Sequence, residues 1–226
     1  MKRVASFTYR IARRVSLLIA IAAMVACSEH DDTWNPYYNW QARNAAWFQL
    51  VADSARTAIQ EAKAKYGDEW QENCSWRMYK SLLKSDKQGP LTDSICVKIV
   101  QRGDGDFSPA YTDSVRLNFR GWTMQTEYTT DAGTLEPSMA IFTQTYYGPF
   151  NPATAAPQTM SVAGTVEGFS TALQYMVTGD DWYVYMPHNL AYGEKANADI
   201  PAYSTLLFRI NMVGAYESGS GMPGWK

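Results

Sequence analysis

Leu190-Ala191-Tyr192-Gly193, then Ile200-Pro201, then Ser204-Thr205-Leu206-Leu207-Phe208: this series near the C-terminal end decides how the chain folds. From Leu206 on, Leu206, Phe208, Ile210 and Met212 alternate with Leu207, Arg209 and Asn211, the period of a strand. Upstream, Trp182, Val184 and Met186 alternate with Tyr183 and Tyr185 until Pro187 closes that strand. Before it, Phe169, Ala172, Leu173 and Met176 fall at i, i+3, i+4 and i+7, so a helix with one apolar face is expected to run on to Gly179.

The period of two extends further back. Ile95, Val97 and Ile99 alternate with Cys96, Lys98 and Val100 up to the turn Arg102-Gly103-Asp104-Gly105. Val115, Leu117 and Phe119 form a second set before Gly121, and a third short strand contains Met139 to Thr143. Tyr147 to Pro157, with three prolines and a glycine, reads as a surface loop. Several antiparallel strands with one helix inserted before the last hairpin make an α+β domain, placed at residues 94–214 with a tail at 215–226.

Ahead of this domain lies a helical region, 40–90. Tyr38 to Lys65 lacks Gly and Pro and spaces Trp40, Trp47, Val51, Ala58 and Ala62 at near-helical intervals, so a long helix ending at Gly67 is expected. A second helix is expected from about Glu69 to Leu83. The aromatic stripe of the long helix packs either on its own domain or on a second copy, as a homodimer.

The first sixteen residues carry Lys2, Arg3, Arg10, Arg13 and Arg14 and no acid, and an apolar run follows from Val15 to Ala26. That run falls short of the roughly 20 residues a bilayer crossing needs and reads as a signal peptide, 1–26. Met24-Val25-Ala26-Cys27 is similar to a bacterial lipobox, which implies lipidation of Cys27. Glu29, Asp31 and Asp32 then resemble the acidic export signal of Bacteroidetes-type surface lipoproteins. The implied address is the cell envelope, at the outer membrane, with residues 27–39 as a tether. A plainly cleaved signal is the alternative.

Loss of residues 1–26 takes the net charge from −2 to −7, leaving no basic stripe for nucleic acid. Two histidines, His30 and His188, exclude a histidine-rich metal site, and no Gly-rich loop follows a strand to cradle a phosphate. No cofactor is expected. Cys74 and Cys96 either pair or remain as buried thiols.

Together, Val166-Glu167-Gly168-Phe169, the short helix and the Leu-Ala-Tyr-Gly, Ile-Pro and Ser-Thr-Leu-Leu-Phe segments resemble the FKBP family of peptidyl-prolyl cis-trans isomerases, from about residue 95 to 213. The resemblance implies an antiparallel sheet wrapped around one short helix, and proline-containing polypeptides as substrates. It also implies an apolar cup walled by Phe119, Phe142, Val166, Ile200 and Phe208 with Phe169 as its floor. Tyr192 would offer a hydroxyl and Val166 a backbone N–H to the substrate carbonyls. Where the family usually has tyrosine, aspartate and tryptophan, this chain has Phe119, Thr143 and Phe169. Loss of the polar pair leaves two functional readings: an isomerase acting on exported proteins, or an FKBP-like module that binds peptides with little turnover.

Overall fold

Apolar residues at every second position call for cover on one face of a sheet, and here Cys96, Tyr185 and Leu207 add apolar surface on the other, which calls for cover too. In the computed structural model, which describes residues 35–86, 89–129 and 135–224 and no side chains over 125–138, two helices supply it. The expected signal peptide, the lipidation site Cys27 and the acidic residues after it lie outside the described residues. Pro36–Lys226 is one compact unit.

Helix α1 spans Trp40–Tyr66 and stops at Gly67, whose φ of 55° only glycine adopts without strain. After a 3-10 turn and the one-turn helix α2, Trp70–Asn73, come the strands β1, Trp76–Lys80, and β2, Ser94–Gln101. Next are β3, Ser114–Thr129, β4, Leu135–Gln144, and β5, Gln158–Ser161. Helix α3, Glu167–Leu173, precedes the final pair β6, Asp181–Met186, and β7, Leu206–Tyr216. These elements form one antiparallel sheet in the order β1-β2-β6-β7-β3-β4, and β5 pairs with the first half of β3 beside β4. The α+β class with an antiparallel sheet and an N-terminal helix is as expected.

Alternation decides which helix each residue meets. Ile95, Val97, Leu117, Val184 and Ile210 turn to α3 and join Leu173 and Met176 in the main core. Gly168 lets α3 come this close, because a methyl there would meet Met186 Cβ at 2.9 Å and Ile95 Cγ2 at 3.2 Å. On the opposite face, Cys96 packs under Phe48 and Ala52 of α1, beside Trp76, Met78 and Tyr185. Both Cys74 and Cys96 are buried free thiols, and burial pushes the Cys96 thiol up to about 12.

Polar bonds fix α1 in place. Trp40 Nε1 donates to Ser204 Oγ at 3.0 Å, and Asn44, buried in the contact, accepts the Thr205 backbone N–H at 2.8 Å. Thr205 Oγ1 donates in turn to the Asn44 carbonyl at 3.2 Å.

Three expectations are corrected. The helix expected over Glu69–Leu83 is a single helical turn followed by β1, which pairs with β2 from Trp76↔Lys98 to Lys80↔Ser94 and so joins the sheet. Pairing with β2 satisfies that backbone, and both faces of β1 find cover, which a lone helix would not have given it. The helix at Phe169 stops at Leu173 rather than Gly179; Gly179, at φ 94°, instead turns the chain into β6. Finally, β3 runs through Gly121 instead of ending there.

Candidate active site

Between β3, β4, β5, the start of α3 and the loop after β6 lies a cavity of about 680 Å³. Phe119, Phe142, Val166, Phe169, Ile200 and Phe208 all line it, and so does Tyr192. Every residue singled out from the sequence for the cup is therefore brought to one place.

Each element delivers its side chain for a local reason. Phe119 and Phe208 are inward-facing residues of the neighbouring strands β3 and β7, paired in register as Phe119↔Ile210 and Gly121↔Phe208. Phe169 sits in the first turn of α3 and is held edge-on by both, with ring centroids 6.1 Å from Phe119 and 4.9 Å from Phe208. Edge-to-face packing of this kind is the favoured arrangement of aromatic quadrupoles. Phe142 arrives by a bulge: Gly121 pairs with Thr143 and Trp122 with Ile141, which leaves Phe142 as the extra residue on β4. Its ring meets Phe208 edge-on at 5.4 Å.

Gly121 stands beneath these rings. A methyl there would lie 2.6 Å from Phe208 Cε1, 2.8 Å from Phe142 Cζ and 2.9 Å from Thr143 Cγ2, so only a hydrogen fits. The loop from 191 to 205 closes the opposite side. Gly193, at φ 76°, sends its N–H to the His188 carbonyl at 2.8 Å and receives that of Tyr203 at 2.9 Å. Asn197 and Ile200 then exchange backbone bonds of 2.9 Å, and Ala198 at the tip has a φ of 47°. This loop turns Ile200 inward to 5% exposure and leaves Tyr192 at the rim, 39% exposed.

Electrostatically the cavity is quiet. Asp199, exposed at the rim, is the one carboxylate among the lining residues described; Thr143 and Phe119 both line the cavity and neither carries a charge. His188 lies near the rim against Tyr203, at 5.2 Å, and burial lowers its pKa while Glu194 pulls the other way. Among the described residues no group of three or more His, Cys, Asp or Glu gathers as a metal site, and no helix is long and apolar enough to cross a membrane. Chemically, such a place can desolvate and grip a small apolar group but offers no activated nucleophile.

Sequence reasoning missed the far wall, Met160, Ser161 and Thr165, together with the tip of the rim loop. β5 has four residues and a single apolar one, too short to show a period. The asparagine and alanine at the loop tip gave no signal at all.

Residues 106–213 match the family described as FKBP-type peptidyl-prolyl cis-trans isomerase. The chain is 31% identical over 117 residues to the FKBP-type 22 kDa peptidyl-prolyl cis-trans isomerase of Escherichia coli, covering 51% of this chain and 47% of that one. It is 28% identical over 138 residues to the outer membrane protein MIP of Legionella longbeachae, covering 59% and 51%. The chain thus spans about half the length of these relatives. Among solved structures, FkpA from Escherichia coli aligns over 90% of this chain and 82% of its own at 20% identity, with a TM-score of 0.41.

Proposed function

We propose that this chain, whose residues 106–213 belong to the FKBP-type family, is a peptidyl-prolyl cis-trans isomerase working in the cavity between β3, β4 and α3. The observation that carries the reading is the convergence of Phe119, Phe142, Phe169, Ile200 and Phe208 on one open apolar space with Tyr192 at its mouth.

Rotation about an X-Pro bond is slow because it breaks amide resonance, at a cost of about 18–20 kcal/mol. At the twisted transition state the carbonyl has lost much of its zwitterionic character. A water-poor aromatic cup therefore disfavours the planar amide more than the twisted one, which is differential binding without a covalent step. In this reading the proline ring rests on Phe169. The Tyr192 hydroxyl and the Val166 N–H donate to the flanking carbonyls.

Substrates would be proline-containing segments of exported polypeptides, and Cys27 would hold the protein at the envelope through a lipid. Because the buried face of α1 already rests on its own sheet, a homodimer would have to use the opposite face, around the exposed Leu50.

The test is an isomerisation assay on an Ala-Leu-Pro-Phe-type peptide. The full chain should accelerate exchange, and Tyr192→Ala, at an exposed rim position, should reduce the rate roughly tenfold, which corresponds to ~1.4 kcal/mol. No acceleration would sink the reading. The absence of a polar pair at Phe119 and Thr143 favours a second reading, a peptide-binding module with little turnover. Binding of proline peptides without faster exchange would support it. Restoring the pair as Phe119→Tyr with Thr143→Asp should raise turnover if its loss has slowed the enzyme; no gain would remove that explanation.

A further inference from the structure

The β1 edge of the sheet carries a second concavity, a groove of about 690 Å³ between α1 and that strand. Arg56 and Lys63 of α1, Trp70 of α2, Arg77 and Tyr79 of β1, and Tyr175 beyond α3 form its walls. None of the lining residues described is an acid. Arg56 already has Asp53 at 2.8 Å. Lys63 and Arg77 meet no carboxylate among the described residues; each lies 4.8 Å from the centre of the Trp70 ring.

Arg77 is 6% exposed and donates to the main-chain carbonyls of Gln71, Cys74 at 2.9 Å and Trp76 at 2.6 Å. Arg102 donates to two of the same carbonyls, Gln71 and Cys74. Two guanidinium groups thus share acceptors that neutralise neither. Burial lowers the Arg77 pKa, with Tyr79 and Cys74 pulling the other way and the Arg102 charge adding to the lowering, so an anion brought alongside would relieve a cost the fold already bears. The rest of the chain is net acidic, so this hollow is opposite in sign to the chain as a whole.

The groove also borders an open strand edge. β1 is the end of the sheet order, and the Ser75 carbonyl and Ser81 N–H bond to Ile99 and Asp93 on the β2 side. The unshifted register puts Arg77 and Tyr79 on that side too. By alternation, Trp76, Met78 and Lys80 turn their backbone N–H and C=O groups outward; Met78 lines the groove, and the Trp76 carbonyl on this edge already accepts from Arg77. We propose that this groove binds an acidic, extended polypeptide segment, which adds to β1 as a further antiparallel or parallel strand with its carboxylates toward Lys63 and Arg77. A free phosphate would use the cations but not the edge; an extended polypeptide uses both. The segment needs no proline, so the proposal stands apart from the isomerase reading.

The test is fluorescence anisotropy of the full chain with a labelled, proline-free peptide of alternating Glu and Val. Binding should saturate, weaken with salt, and fall roughly tenfold or more with Lys63→Glu, an exposed helix position whose fold circular dichroism checks. The same peptide N-methylated on alternate residues along its bonding edge should not bind. Four outcomes would overturn the proposal: unchanged affinity of Lys63→Glu, equal binding of a Lys and Val peptide, equal binding of the N-methylated peptide, or binding of anionic phospholipid vesicles without binding of the acidic peptide. Loss of isomerase activity alone, with peptide binding intact, would count only against the function proposed for the cavity.

Discussion

At the β4 edge of the sheet the chain builds a cavity from core phenylalanines; at the β1 edge it builds a groove from cations and partly exposed rings. Five strand spacings of about 4.8 Å separate those edges, roughly 24 Å. The walls of the cavity are also the core: Phe119, Phe169 and Phe208 are each 7% exposed or less and pack with Leu117 and Ile210. The groove walls Lys63 and Tyr175 belong to no core cluster described. Site chemistry and stability are thus coupled at one edge and separable at the other.

The largest effect expected of that difference comes from Phe169→Ala. It should cost about 3–5 kcal/mol in urea unfolding and abolish isomerisation together, whereas Lys63→Glu, which gives up its contact with Trp70 in the last turn of α1, should cost about 1 kcal/mol. Equal losses in the two variants would break the contrast. Gly121→Ala is the next test, because its methyl must displace Phe208 and Phe142. Overpacking should cost about 1–3 kcal/mol, read as a lower urea midpoint with unchanged slope, and should slow isomerisation while acidic-peptide affinity stays constant.

The two edges differ just as much in what the sequence discloses. The cavity was legible through the resemblance, whose ordered Val-Glu-Gly-Phe, Leu-Ala-Tyr-Gly, Ile-Pro and Ser-Thr-Leu-Leu-Phe segments implied the cup; periodicity alone placed Phe119 and Phe208 on strands and Phe169 on a helix, where each would read as ordinary core. β1 was misread because Trp70–Leu83 lacks Gly and Pro and is apolar at positions that suit either period. Only the pairing of Arg77 with Val97 and Tyr79 with Ile95, a long-range event, makes it a strand. A groove that depends on this pairing leaves no local trace.

The smallest effect expected concerns pH. His188 near the cavity rim has a folded pKa below its ordinary 6.5, chiefly through burial, so the unfolded chain takes up its proton first. Its contribution to stability is therefore complete above about pH 6.5 and is lost as the pH falls toward the folded value. Unfolding midpoints measured from pH 7.5 to 5 should decline, and His188→Phe should flatten that part of the curve. No histidine is among the described groove residues, so acidic-peptide affinity should hold level between pH 6 and 8.

The bonds from Trp40 and Asn44 to Ser204 and Thr205 have a mechanical corollary. Tension applied at residue 36 reaches the sheet through them, and the residues that receive it stand between Ile200 and Phe208, the two sides of the aromatic bowl. A chain hauled by its leading end would thus load the cavity wall early, and if the cavity holds proline peptides as proposed, optical-trap pulling with one bound should raise the force of the first rupture.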